Sequence, residues 1–173
     1  MGCHTLMDKV IVLKGRADTG KSHILFALIE KLISIKGARI LYNHNGVNSS
    51  FWTQKKDGFI IVEVPTKISE EIGIIRIGVI TMGDPGCENE ARICRNICLD
   101  PQYDVDTLVA ATRTKDLPHS VYADTLTFAR NNNAELIEMS PIVLTTYPVR
   151  RNDILRNKVQ DDCAEAIKSI IGI

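Results

Sequence analysis

Apolar residues in this chain form short continuous runs and longer stripes with helical spacing. The run Val10–Leu13 ends close to a glycine and predicts a buried strand. Apolar residues within 21–36 recur at steps of three and four, which predicts an amphipathic helix that Gly37 ends. Further apolar runs predict strands over residues 39–42, 59–64, 74–81, 107–112 and 136–139.

Helices are predicted between several of these strands. Ser120 is a candidate N-cap for a helix that ends near Arg130, and helical spacing also covers residues 88–99 and 153–171. Alternation of strands and helices predicts an α/β fold with three layers and a mainly parallel sheet. About nine residues separate the strands at 59–64 and 74–81, which favours an antiparallel hairpin insertion and leaves the strand order open.

Composition agrees with one domain over residues 1–173, in which we expect residues 1–8 to be flexible. The 173 residues are 45% hydrophobic but only 5% aromatic, so the core must be built from Ile, Val, Leu and Ala. The 21 basic residues balance the 21 acidic ones, which gives no reason to expect nucleic acid or an anionic membrane as a partner. Near-zero net charge leaves a homo-oligomer open.

The expected location is the cytoplasm, and it follows by elimination. The chain has no apolar run of membrane-spanning length, and Met1 to Lys9 lacks the apolar stretch of a signal peptide. Five cysteines, an odd number, are expected to stay reduced.

One motif points to phosphate binding. Residues 15–22 fit the pattern G-x-x-x-x-G-K-[ST], with a predicted strand before it and a predicted helix after it. Glycines let backbone N–H groups approach phosphates closely, and the helix N-terminus attracts the same anion. The lysine would reach the terminal phosphates, and the serine hydroxyl would coordinate Mg²⁺. The predicted phosphate-binding residues are Gly15, Arg16, Ala17, Asp18, Thr19, Gly20, Lys21, Ser22 and His23, the last of which we expect to pack or cap.

This motif resembles that of the P-loop NTPase superfamily, and the resemblance covers residues 9–37. It implies a doubly wound sheet with ATP or GTP, and Mg²⁺, at the carboxyl ends of the strands. The motif does not choose among kinases, ATPases, GTPases and switches that do not hydrolyse the nucleotide.

A second acidic residue is expected near the metal, at the end of another apolar strand. Asp84 is the best candidate, although it lies three residues past the strand that ends at Thr81 and behind Gly83. Thr81 holds the more usual position and could bind a water that ligates Mg²⁺. The alternative for Asp84 is a turn aspartate before Pro85. The predicted metal ligands are therefore Ser22 and Asp84.

Arg113 completes the predicted catalytic set with Lys21 and Asp84. It follows an apolar strand and should reach the sheet edge of the loop, where it would contact the γ-phosphate, the base or a second substrate; a plain surface arginine is the alternative. Lys115–Asp116 departs from the Asn-Lys-x-Asp of guanine-reading loops, which favours ATP.

Other polar residues are weaker candidates. Glu63 could be a general base, but a solvent-facing strand position is favoured. Asp18 could face the substrate or turn to solvent. Arg150, Arg151 and Arg156 would suit a kinase lid, but an ordinary solvated helix start is favoured.

The cysteines and histidines form no convincing metal motif. Cys94 and Cys98 share one face of a predicted helix and Cys87 lies nearby, but no second pair accompanies them, so buried thiols are expected rather than a metal cluster. The four histidines form no ligand pattern.

Two further runs, Gly78–Pro85 and Ala110–Thr114, resemble those of small single-domain bacterial P-loop proteins of unassigned activity. That resemblance implies that Asp84 and Arg113 belong to the site.

Two function hypotheses remain open. One is an ATP-dependent phosphotransferase or ATPase whose second site includes Trp52 in the loop 43–58. The other is a switch whose loops 43–58 and 82–90 are recognised by a protein partner. A motor acting on nucleic acid ranks third, because the chain is small and neutral.

Overall fold

Strands and helices alternate along the chain except between residues 39 and 80, where three strands follow one another. The computed structural model describes residues 7–16, 20–68, 71–113, 120–141 and 153–173. The strands are β1 (Lys9–Gly15), β2 (Arg39–Asn43), β3 (Phe59–Ile68), β4 (Glu71–Ile80), β5 (Thr107–Arg113) and β6 (Glu135–Met139). The helices are α1 (Lys21–Ser34), α2 (Glu88–Cys98), α3 (Val121–Asn131) and α4 (Asp153–Ile171).

All six strands form one sheet in the order β2-β3-β4-β5-β1-β6. β2, β3 and β4 pair antiparallel, whereas β4–β5, β5–β1 and β1–β6 pair parallel. The fold is thus α/β with a mixed sheet, and the predicted mainly parallel sheet of a P-loop NTPase-like, doubly wound domain is wrong.

The antiparallel pairing of β2, β3 and β4 follows from the segments that connect these strands. The predicted strands at 59–64 and 74–81 extend toward each other into a long hairpin, in which Phe59 pairs with Ile80 and Ile68 with Glu71. So short a connection cannot hold the helical crossover that a parallel pair needs. The segment between β2 and β3 also contains turns instead of a helix, so β2 returns antiparallel to β3.

Two apolar clusters cover the two faces of the sheet. On one face α1 and α4 pack with residues such as Leu13, Val62 and Val79. On the other face the buried thiols of α2 and residues of α3 pack against Val12 and Ile61. Neighbouring strand residues alternate between the clusters because successive side chains point to opposite faces.

The ends of several elements match their local chemistry. Ser120 accepts a hydrogen bond from the Ala123 amide at 3.1 Å, which confirms it as the N-cap of α3. α1 ends at Ser34, and Gly37 follows with φ of +89°. Met7 is only 4% exposed, and the amide of the exposed Asp8 donates to the Asp106 carbonyl, so the backbone at these two residues is held in place instead of being flexible; residues 1–6 lie outside the described ranges. In the part of the chain that the structure describes, no helix combines the length and apolar character needed to cross a membrane.

Candidate functional site

The phosphate-loop motif lies at the carboxyl end of β1. β1 ends at Gly15, and Gly20 precedes α1 in the left-handed conformation, with φ of +79°, which glycine adopts without strain. Having no side chain, Gly20 adds no side-chain cap to the first amides of α1. Ala17, Asp18 and Thr19 lie outside the described residues.

Lys21 turns its side chain back over the loop. It is only 7% exposed, and Nζ donates to the carbonyl of Gly15 at 3.0 Å and to that of Arg16 at 2.7 Å. Its charge also helps to lower the pKa of Asp84, so the two groups are close enough to attract each other. A buried ammonium group thus sits at the loop and the N-terminus of α1.

The next two residues of α1 have different surroundings. The Ser22 hydroxyl donates a hydrogen bond to the carbonyl oxygen of Thr81 at 3.5 Å, and it lies near enough to the Asp57 carboxylate to oppose the rise in the pKa of that group. His23 packs edge-on against Phe26, with ring centroids 5.7 Å apart, as expected for a packing residue. Burial, reinforced by positive charges from Lys55 and Arg156, lowers the pKa of His23.

Thr81 continues β4 into the site, but its hydroxyl serves the fold. It is buried and accepts a hydrogen bond from the Gly58 amide at 2.9 Å, and it can donate to Asp57 Oδ1 or the Gly58 carbonyl, each at 3.2 Å. The Thr81 hydroxyl therefore already joins β4 to the start of β3. Binding a water near Mg²⁺, the role expected from the sequence, would compete with these hydrogen bonds.

Gly83 lies between the end of β4 and Asp84, where the chain passes very close to β5. A Cβ atom at Gly83 would lie 2.4 Å from the Ala111 carbonyl oxygen and 2.8 Å from the Thr112 amide nitrogen. Only glycine lets the chain pass so close to β5. This close passage brings Asp84 beside β5, where Arg113 Nε donates to its Oδ1 at 2.8 Å.

Arg113 lies at the same sheet edge as the phosphate loop, because its Cα pairs with that of Gly15 across β5 and β1. The hydrogen bond from Arg113 holds the pKa of Asp84 below its ordinary value. Lys21, Asp84 and Arg113 thus meet in one place, as the sequence predicts. Within the described residues, Thr112 Oγ1 is buried without a hydrogen-bond partner beside this pair.

Asp57 is the residue that sequence reasoning missed. It precedes β3, whose first residue pairs with the last residue of β4, so this loop reaches the edge where the phosphate loop lies. Partial burial of its carboxyl group, with help from the negative charge of Asp84, raises the pKa of Asp57 although the residue as a whole is exposed. The sequence does show an acid just before an apolar strand. That position lies at the edge of the candidate site only if the strand runs antiparallel to β4, as β3 does.

Two predicted candidates lie elsewhere. Glu63 is neither a site base nor solvent-facing: its side chain is 7% exposed and pairs with Arg39 and Arg76 in the middle of the antiparallel half. Trp52 is 4% exposed and packs against Phe51 in the core, so it does not line a second site.

The cysteines of α2 are enclosed in the core. Cys94 and Cys98 are buried, and burial raises the pKa of Cys94 to about 12. Among described residues, no three His, Cys, Asp or Glu side chains form a metal-binding group by themselves.

α4 also borders the phosphate loop, which the sequence did not predict. A Cβ atom at Gly20 would lie 2.8 Å from Gln160 Nε2, so this side chain covers the entrance of α1. Arg156 pairs with Asp153 one turn earlier in α4, and Arg150 and Arg151 lie outside the described residues. For Arg150 and Arg151 the two alternatives, a kinase lid and the favoured solvated helix start, therefore stay predictions.

Comparison with models of known protein families and with curated proteins finds no match for this chain.

Proposed function

We propose that this chain binds a nucleoside triphosphate, ATP in preference to GTP, on the loop from Gly15 to Ser22. The observation that carries the proposal is Lys21, whose buried ammonium group is held by two loop carbonyls at the N-terminus of α1. Backbone amides and the helix dipole at this position favour an anion, and the lysine adds a full charge. The preference for ATP rests on the sequence after β5, which lacks a guanine-reading motif.

Mg²⁺ is part of the proposal because the side chains around the loop offer oxygen atoms. Ser22 supplies a hydroxyl, Asp57 supplies a carboxylate near it, and Asp84 supplies a second carboxylate whose charge acts on Asp57. Mg²⁺ prefers such hard oxygen ligands and takes several from substrate phosphates. When bound, it would neutralise charge on the phosphates; the residues that would hold it are Ser22 and one of the two acids.

Phosphoryl transfer or hydrolysis is the proposed reaction. Lys21 and Arg113 both lie beside Gly15, so two positive groups would face the terminal phosphate. Fixed cations at this position stabilise charge that spreads over the phosphoryl oxygens during transfer. The proposed partner is a second substrate or, for a switch, another protein.

A non-catalytic switch is the second candidate. It is favoured by one observation: Asp84 is bonded to Arg113 and is thus less available to a metal or an attacking water. A protein partner would then read the nucleotide state. Buried Phe51 and Trp52 anchor the middle of the loop 43–58, so a switch would act through shorter segments than that whole loop.

The cytoplasm is the proposed site of action. Cys87, Cys94, Cys98 and Cys163 are free thiols, a state that suits a reducing compartment.

Calorimetric titration with non-hydrolysable ATP and GTP analogues, with and without Mg²⁺, tests the proposal. We expect micromolar binding of the ATP analogue that Lys21→Ala abolishes. Lys36→Ala removes an exposed lysine from just after the same helix and should bind like the parent. Circular dichroism verifies that Lys21→Ala is folded. A parent protein that binds neither analogue would overturn the proposal, and turnover of ATP would separate the enzyme from the switch.

A further inference from the structure

We propose that Gln160 of α4 binds the phosphate chain of the nucleotide, to which its side-chain amide donates a hydrogen bond beside Gly20. The inference rests on the proposed nucleotide site and adds to it a wall supplied by α4. It gives Gln160 a role that no motif of the sequence assigns.

The position of the Gln160 amide carries the inference. A Cβ atom added at Gly20 would lie 2.8 Å from Nε2 of Gln160, but 3.7 Å from Cδ and 3.9 Å from Cγ, so the amide nitrogen is the part of this side chain closest to the loop. Gly20 is the N-cap of α1 and gives the first amides of that helix no side-chain partner. Because a helix N-terminus attracts anions, a donor placed here faces the same phosphate groups.

The amide group of Gln160 is available to a ligand. A glutamine side chain carries two N–H donors and one acceptor oxygen. Among the residues that the structure describes, none forms a hydrogen bond with this side chain, and Gln160 is partly exposed. Binding an anion would therefore give the amide an acceptor without breaking a hydrogen bond among those residues.

The face of α4 that packs on α1 changes character at Gln160. Ala164, Ile167 and Ile171 are buried in the apolar cluster that both helices form with the sheet. Gln160 precedes Ala164 by four residues and lies on the same face of α4. A face that only packed on α1 would stay apolar to its end. This face becomes polar where it reaches the start of α1, which indicates a polar group at that level.

α4 is held in place along α1, so the amide lies on a rigid element. Lys31 of α1 forms ion pairs with Asp161 and Glu165, each at 2.8 Å. Lys9 Nζ also donates to the Ile170 carbonyl at 3.0 Å, which fixes the far end of α4 against β1. A donor on a rigid element needs little further ordering when its ligand binds.

Positive charge near the start of α1 suits a phosphate ligand. Lys55 Nζ lies 5.6 Å from the centroid of the Phe26 ring, and Arg156 lies four residues before Gln160 on α4. The charges of Lys55 and Arg156 add to burial in lowering the pKa of His23, so both lie near the first turn of α1. The phosphate chain carries the negative charge of a nucleotide, so it is the part of the ligand that these surroundings favour.

Calorimetric titration of the full-length protein with a non-hydrolysable ATP analogue and Mg²⁺ tests the contact. Gln160→Met keeps the length of the side chain and removes both donors. It should weaken binding about 10- to 100-fold, as loss of a hydrogen bond to a charged group does. Gln160→Glu should weaken binding further because it repels phosphate, and Gln160→Lys should recover affinity because it attracts phosphate.

A matched variant on α4 controls for unspecific effects of charge. Lys158→Met removes an exposed charge two residues away, on another side of the helix, and should bind like the parent. Circular dichroism verifies that each variant is folded. Parental affinity in Gln160→Met, or a Gln160→Glu protein that binds no more weakly than Gln160→Met, would overturn the inference and leave nucleotide binding intact. A parent that does not bind the analogue would overturn the proposed function itself, and the inference with it.

Discussion

Arg113 and Asp84 join the ends of two neighbouring strands through a hydrogen-bonded ion pair, with Arg113 Nε 2.8 Å from Asp84 Oδ1. The Asp84 side chain is 57% exposed and that of Arg113 is 30% exposed, so water screens the pair. A double-mutant cycle with Arg113→Ala and Asp84→Ala should give a coupling of about 0.2–1 kcal/mol in the free energy of unfolding. Urea denaturation of the four proteins measures it. A coupling several times larger would mean that the pair is mainly a structural element.

Gly83→Ala should lower the free energy of unfolding by about 1–3 kcal/mol, because a Cβ atom would collide with the backbone of Ala111 and Thr112. Gly86→Ala is the matched control. Gly86 has φ of +96° but nothing within 4 Å of an added Cβ, so its substitution should cost only the backbone strain, about 1 kcal/mol. Urea denaturation compares the two variants. Equal losses would contradict the close passage at β5.

Phe51→Ala should lower the free energy of unfolding by about 3–5 kcal/mol, because Phe51 is 1% exposed and fills the core between the sheet and α1. Trp52, the single tryptophan, packs against it and reports unfolding by fluorescence. Val47→Ala in the same loop is the control: Val47 is 95% exposed, so the change should stay within about 0.5 kcal/mol. Similar values for both variants would show that the loop is not anchored.

Protonation of Glu63 should lower the stability of the folded protein in acid. Hydrogen bonds from Arg39 and then Arg76 lower its pKa in the folded state, so its stabilising contribution is present above the ordinary pKa of 4.5 and is lost as the pH falls through the lowered value. Glu63→Gln should cost about 1–3 kcal/mol at neutral pH. It should also reduce the decline in stability on acidification below pH 4.5.

Unfolding curves at several pH values follow this decline. Glu30→Gln, at an exposed position of α1, should keep the parental dependence on pH. A Glu63→Gln protein that loses stability in acid as steeply as the parent would show that other carboxylates govern the effect.

Local sequence was enough to locate the strands and helices and the loop from Gly15 to Ser22. Periodic apolar residues predicted every strand and helix of the described structure within a few residues, and the short segment between the strands at 59–64 and 74–81 favoured the hairpin that β3 and β4 form. Lys21 and Ser22 follow from a motif whose residues are neighbours in the chain. Asp84 and Arg113 were expected at the same edge, because each follows a strand, and the structure brings them together.

Strand pairing decided the rest, because it joins residues that are far apart in the chain. The antiparallel return of β3 turned a mainly parallel sheet into a mixed one, and it carried Asp57 to Thr81, at the sheet edge where the loop from Gly15 to Ser22 lies. The same pairing buried Glu63 between arginines of two neighbouring strands. Periodicity shows which residues can share a face, but only the direction and register of each pair determine which side chains meet.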